Sequence, residues 1–410
     1  LTLASPAGLV RAVRLAVGFA ITLASLTTPA LAQTNEDNRT QYPKWLQNAF
    51  FSINVGGIDQ PFSQSLLQPG FQATAIEVPN LAVRVVILGR EITRTLSIQG
   101  SYQRPISYVT YQGVTNTDAA SHHVRVNFGG VTLRARRTIG GRVSAYGEGG
   151  LGFTSRTGFA IGNQTVVTDA HYASLVVGGG VDYRVTPTWD LTSGLTFSPG
   201  KSSVEQPHTL FASGGFRYTM RPVSPEVVQA NREAGFVFPR QMIQVEYSSG
   251  SGYGVNDFWS QKVPIFWRGH AKVDFGIAGH YERNAFHTKK IFALDFGVSA
   301  GSYKTHENDD RFFTLSVYPL LRFTFLRTGP ADMYFAYSLV GPTYISKTTL
   351  DGLDTGSHFT FQDFMGIGAF FGKARRFNAG IKINHYSNGN IFTQNAGVKI
   401  PLTFSLGYVF

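Results

Sequence analysis

At 410 residues the chain has room for two ordinary domains, and only 15% of it is charged while Gly (45), Phe (33) and Tyr (18) abound. The absence of cysteine excludes a disulfide scaffold, thiol catalysis and cysteine-ligated zinc. The net charge of +11 calls for an anionic partner, and without an aromatic-interleaved basic module that partner is anionic lipid, not nucleic acid.

Arg11 and Arg14 precede an apolar run from Leu15 to Leu26, and Ala30-Leu31-Ala32 offers a small-x-small cleavage site before Gln33. This is the pattern of a secretory signal peptide over residues 1–32. A polar segment, 33–47, follows it. Further on, no apolar run reaches the roughly 18–20 residues of a spanning helix.

From residue 48 the signal is alternation with a period of two. Leu96, Ile98, Gly100 and Tyr102 oppose Ser97, Gln99 and Ser101. Val124, Val126 and Phe128 oppose Arg125 and Asn127, and after Gly129-Gly130 the apolar phase shifts to Val131, Leu133 and Ala135. A glycine bulge is the expected cause of that shift. Gly147–Gly152 lies inside a strand pattern and matches no phosphate loop. His122 and His123 point to opposite faces, which argues against one metal held by both. About eight segments of about 9–13 residues, a length suited to tilted membrane strands, fill residues 48–220.

Residues 221–235 carry two prolines and a polar run, and read as a linker. Alternation then resumes over 236–410, with strands expected at 331–345, 358–371, 377–388 and 397–410. One face is large, apolar and aromatic. The other mixes charged, small and hydroxyl residues, as a polar lumen does. The last strand alternates to a terminal Phe410, which resembles the C-terminal assembly signature of bacterial outer-membrane barrels. The expected fold is all-β: two tandem transmembrane eight-stranded antiparallel β-barrels, with one sixteen-stranded barrel as the competitor. The first half resembles small OmpA-type barrels in its Gly-aromatic strands, and no site stands out in it.

The chemistry gathers near the end. In Ala379–Asn388 the residues Ala379, Ile381, Ile383, His385 and Ser387 share the lipid-facing side. An even strand number sends this strand outward, so His385 and Ser387 reach the outer-leaflet level. Residues i and i+2 are about 6.5 Å apart along a strand, near enough for His385 to act as base toward Ser387. If the Gly372–Arg376 turn pairs Phe371 with Phe377, Asp363 falls opposite His385 and can orient it. Tyr386 and Asn384 are expected in the lumen, and so is Lys399.

His385-Tyr386-Ser387-Asn388, followed by Asn395-Ala396-Gly397 and a short last strand, resembles the outer-membrane lipid A 3-O-deacylase (PagL-type) family. The Phe361–Gly368 segment fits the same family's preceding hairpin. The resemblance implies an outer-membrane serine esterase that removes an acyl chain from lipid A of the outer leaflet and needs no cofactor. Ser387 maps to the family's nucleophile and His385 to its base. The family's glutamate on the last strand maps to Lys399, since residues 391–410 hold no Asp or Glu. Asn388, Gly389 and Asn395 are oxyanion or orienting candidates. The His-x-Ser-Asn-Gly string also resembles outer-membrane phospholipase A, a twelve-stranded family in which calcium could polarise the ester. A non-catalytic structural or adhesive tandem barrel is the third reading.

Overall fold

The computed structural model describes residues 38–115, 120–262, 269–392 and 394–410. The segment expected as a signal peptide lies outside the described residues. The chain divides into two compact units, each built around its own barrel.

The first barrel is an antiparallel meander of β1 (Ala49–Asp59), β2 (Leu81–Glu91), β3 (Leu96–Pro105), β4 (Ser121–Gly140), β5 (Val143–Thr157), β6 (Ala170–Arg184), β7 (Trp189–Ser198) and β8 (Thr209–Thr219). Pairing of β1 with β8 closes it. Large apolar side chains on its strands point outward: Leu151 is 75% exposed, and Ile98, Val131, Leu133 and Leu191 are exposed with it. Polar groups fill the interior. Arg134 pairs with Asp182, Arg217 with Glu91 at 2.8 Å, and Arg84 with Glu148. An apolar exterior around an ion-paired interior is the inverse of a soluble barrel and marks a membrane-spanning one.

The expected bulge at Gly129-Gly130 is absent, because β4 pairs with β3 and β5 in unbroken register through both glycines. Val124, Val126 and Phe128 instead face inward. They join Tyr111, Val166 and Phe211 in an apolar cluster at the barrel end that carries the long loops. The phase shift read from the sequence is therefore a change of neighbour: the same strand face meets ion pairs in the lumen and an apolar plug above it.

The stretch expected as a plain linker, 221–235, holds helix α1 (Pro225–Glu233) with proline in its first turn. There the fixed φ of proline suits a helix start. The second barrel consists of β9 (Gln241–Ser249), β10 (Ala271–His287), β11 (Phe292–Thr305), β12 (Arg311–Arg327), β13 (Ala331–Ile345), β14 (Phe359–Phe371), β15 (Phe377–Ser387) and β16 (Val398–Val409), closed by β9 against β16. Helix α2 (Tyr253–Lys262) interrupts the first long loop. Leu406 is 70% exposed, with Val245, Leu315, Phe335 and Phe404 also outward. The lumen carries Arg322 between Glu282 and Asp295, each at 2.7 Å, and Glu246 between His280 and Lys382. Part of the polar N-terminal segment belongs to this unit. Arg39 Nη1 donates to Pro239 O at 2.9 Å and Asn284 Oδ1 at 3.2 Å, and Tyr42 stacks on Phe286.

Candidate active site

The site begins with a hairpin. Gly372, at φ +79°, makes the turn that sets Phe371 against Phe377, and their rings stack at 5.9 Å. From there the register of β14 and β15 runs without interruption to Phe361 opposite Ser387. Asp363 therefore falls opposite His385. Opposed residues of an antiparallel pair share a face, and here Asp363 Oδ1 lies 2.8 Å from His385 Nδ1. A carboxylate only accepts, so Nδ1 carries the proton it donates, and Nε2 keeps its lone pair.

Phe377 and Ile381 of the same row are exposed, which marks this face as the outer side of the wall. At the end that carries the long loops the row is covered. His385 is 1% exposed, Asp363 3% and Ser387 9%. Helix α2 lies across the ends of β15 and β16: Asn256 Nδ2 donates to Ile400 O at 2.8 Å and to Asn384 O at 3.4 Å. Tyr253 of the same helix donates to Val273 O. The open lipid-facing position expected for His385 and Ser387 is thus corrected to a covered one on the outer side of the wall, at the strand ends where helix α2 packs.

Lys399 is a second correction. It was expected in the lumen, but it is the cross-strand partner of His385 on β16, on the side away from Asp363. The pairing slips between Lys382 and Asn384, where Pro401 and Leu402 together oppose Ile383. A proline inside a strand lacks the donor for a ladder bond and favours such a bulge. As a result Val398 and Ile400 turn inward to a buried cluster with Tyr386 and Tyr303, and Lys399 turns outward. Its Nζ meets Asp257 of α2. Asp257 and Asn256 had no signal in alternation, since the helix carrying them is a short insertion between strands.

The remaining candidates shape the surroundings. Tyr386 faces the lumen, with its hydroxyl 3.1 Å from Thr314 Oγ1 and 3.2 Å from Gln362 Nε2. Asn384 is buried at 3.5 Å from Thr403 Oγ1. Asn395 Oδ1 accepts the Asn388 N–H at 3.0 Å, while Asn388 Nδ2 donates to Thr355 O at 3.1 Å and to Gln394 O. Both asparagines thereby hold the loop that follows Ser387. Gly389, at φ +64°, turns the chain there. Among the described residues no group of three His, Asp or Glu side chains could hold a metal ion.

The first barrel holds a Ser–His contact that sequence reading missed. Ser155 Oγ lies 2.9 Å from His171 Nδ1, as β5 and β6 pair these residues. The nearby Asp169 accepts the Gly158 N–H. Only the strand register, and no local motif, brings the two together.

Comparison with known proteins adds a family. Residues 266–408 match the family model described as lipid A 3-O-deacylase (PagL). A search of curated proteins finds no match. Among solved structures, the chain is similar to the outer membrane enzyme PagL at 14% identity, covering 41% of this chain and 99% of that one, with a TM-score of 0.30. It is also similar to Neisserial surface protein A (17% identity, 42% and 97% covered, TM-score 0.29). The N-terminal barrel domain of Pseudomonas aeruginosa OprF matches at 15% identity, 42% and 97% covered, TM-score 0.26. Across residues 266–408 the second barrel resembles the lipid A 3-O-deacylase (PagL) family.

Proposed function

We propose that the second barrel is an esterase of the bacterial outer membrane that removes the ester-linked acyl chain at the 3-position of lipid A. The observation that carries this reading is the 2.8 Å contact of Asp363 with His385, two residues before Ser387, at the extracellular end of a barrel matching the deacylase family model. The expected export signal over residues 1–32 agrees with this location.

In this mechanism His385 Nε2 takes the Ser387 hydroxyl proton as Oγ attacks the ester carbonyl. Asp363 holds the ring in the required tautomer and stabilises the imidazolium that forms. The tetrahedral oxyanion needs donors aimed at it. Asn388 N–H already serves Asn395, so the backbone N–H of Gly389 is the better candidate. The intermediate collapses to an acyl-serine as His385 returns the proton to the departing 3-hydroxyl of the sugar. Water, deprotonated by the same imidazole, then releases the fatty acid and restores Ser387.

The purified full chain in detergent, offered lipid A and phospholipid separately, tests the assignment. Release of a 3-hydroxy fatty acid from lipid A alone is expected. Lysophospholipid as the main product would replace the reading with a phospholipase, and release of nothing from either would leave a non-catalytic barrel.

A further inference from the structure

Charge is divided unequally between the two ends of each barrel. The short turns at 92–95, 141–142, 185–188, 288–291, 328–330 and 372–376 define one end; in a membrane barrel of even strand number this end faces the periplasm. In the first barrel Lys44, Arg90, Arg94, Arg137, Arg142 and Arg184 are exposed there. In the second, Arg240, Arg283, Lys289, Lys290, Lys373 and Arg376 are exposed at the corresponding end.

Carboxylates of the same ends do not offset these cations, because they are engaged inside. Glu91 is held by Arg136, Arg217 and Arg221, and Asp182 by Arg134. Asp295 and Glu282 share Arg322, and Asp332 takes Arg327 and Arg375. Of the exposed cations, Arg184 alone approaches one of them among the described residues, at 3.9 Å from Asp190. The exposed carboxylates nearby, Glu226 and Glu233, belong to the linker helix α1. At the opposite end exposed charge is mixed: Asp59, Glu77, Asp169 and Glu205 stand with Lys201 on the first barrel, and Glu307, Asp309 and Asp354 with Lys272, Arg311 and Lys347 on the second. The excess positive charge of the sequence is thus concentrated at the short-turn ends.

Aromatic side chains fix the depth of these rims. Trp45, Tyr183 and Trp189 on the first barrel, and Phe371, Phe377, Tyr408 and Phe410 on the second, are exposed just inside the cations. Aromatic girdles sit at the boundary between hydrocarbon and headgroups. Cations one step beyond them on flexible stems reach the phosphate layer. We propose that both rims bind the headgroups of anionic phospholipids in the periplasm-facing leaflet, a partner distinct from the lipid A of the other leaflet and independent of the esterase reading.

The test uses the full chain in nanodiscs of mixed phosphatidylglycerol and phosphatidylcholine, with the retained lipid counted by native mass spectrometry. The wild type is expected to enrich phosphatidylglycerol, and salt at about 0.5 M to reduce that enrichment by screening. Replacing the six cations of one rim by Gln should remove about half of the enrichment, and replacing both sets should lower it at least about tenfold. A control set at the other end, Lys201, Lys272, Lys304 and Lys347 to Gln, should leave it unchanged. Should the sixfold variants fail to assemble, Lys289→Gln with Lys290→Gln, both in an exposed turn, gives a graded loss. Unchanged enrichment in the rim variants, or loss in the control set, overturns the proposal. So does full competition by inorganic phosphate, which would make the rim a site for the free anion.

Discussion

The two barrels share strand number, meander and a lumen closed by ion pairs, yet they use the wall at the long-loop end in opposite ways. In the first, Val124, Val126 and Phe128 turn inward to an apolar plug with Phe211. In the second, polar residues turn outward: Asp363, His385 and Lys399 stand side by side on three adjacent strands. Each barrel has a serine and a histidine near its rim. The first even has them in direct contact, Ser155 with His171 at 2.9 Å. Of these two histidines, among the described residues, only that of the second barrel has a carboxylate against its ring, Asp363 Oδ1 at 2.8 Å from His385 Nδ1. The difference teaches that a Ser–His contact in a barrel wall is ordinary strand pairing, and that the third group on the ring separates a candidate site from a packing contact.

The largest expected effect sharpens that contrast. Ser387→Ala should lower deacylation by about 10⁴-fold or more, as loss of the nucleophile does in other serine hydrolases, whereas Ser155→Ala should leave the rate unchanged. A fluorophosphonate probe should likewise label Ser387 and spare Ser155; labelling at Ser155 would erase the distinction between the barrels.

Next comes the carboxylate. Asp363→Asn keeps the shape of the pair but favours the wrong tautomer, and kcat should fall by about 10²–10⁴ with KM little changed. The row also allows a rescue. Lys399→Glu places an acid on the opposite side of His385, at the position where the resembled family carries its glutamate. In an Asp363→Ala background it should recover activity. Full activity of Asp363→Asn would remove Asp363 from the mechanism.

A third comparison concerns the lumens. Arg322 is buried between Glu282 and Asp295. Removing one partner from such a group leaves uncompensated charge and costs about 3–5 kcal/mol. Arg322→Ala should therefore lower the melting temperature of the second barrel, read by loss of heat-modifiable migration. Arg137→Ala, on an exposed rim of the first barrel, should leave stability unchanged.

The smallest effect separates the loops. Asp351 accepts from Thr305 Oγ1 and Asn308 N, and Asp310 accepts from Lys347 Nζ at 3.0 Å and Asp351 N at 2.9 Å. The hydrogen bond from Lys347, with that from the Asp351 backbone, holds the Asp310 carboxyl below its ordinary range. A depressed carboxyl contributes stability above its unfolded pKa and loses it as pH falls through the folded value. Acidification below the ordinary carboxylate range should thus loosen the 306–310 loop, by well under about 1 kcal/mol at so exposed a pair. Hydrogen exchange should show this, while the apolar plug of the first barrel stays protected.

Much of this was legible from residue order, and the exceptions have physical causes. The register that sets Asp363 against His385 follows from one tight turn, because a two-residue period carries a fixed start to the end of a hairpin. Lys399 was misplaced because Pro401 inserts a bulge, and the proline was the available signal. The Gly129-Gly130 phase shift was real but had a tertiary cause: the surroundings of β4 change from ion pairs to plug along its length. Helix α2 and its Asn256 and Asp257 were invisible, since a ten-residue loop helix produces no strand alternation. The Ser155–His171 pair is set by partners sixteen positions apart, which no local pattern encodes.

The central claim is most directly tested by mass spectrometry of lipid A from cells expressing the wild type, Ser387→Ala or Asp363→Asn, with barrel assembly checked in each. The account predicts loss of one 3-O-linked acyl chain with the wild type, none with Ser387→Ala and only a trace with Asp363→Asn. Unaltered lipid A with an assembled wild-type protein, or equal loss in all three, would contradict it.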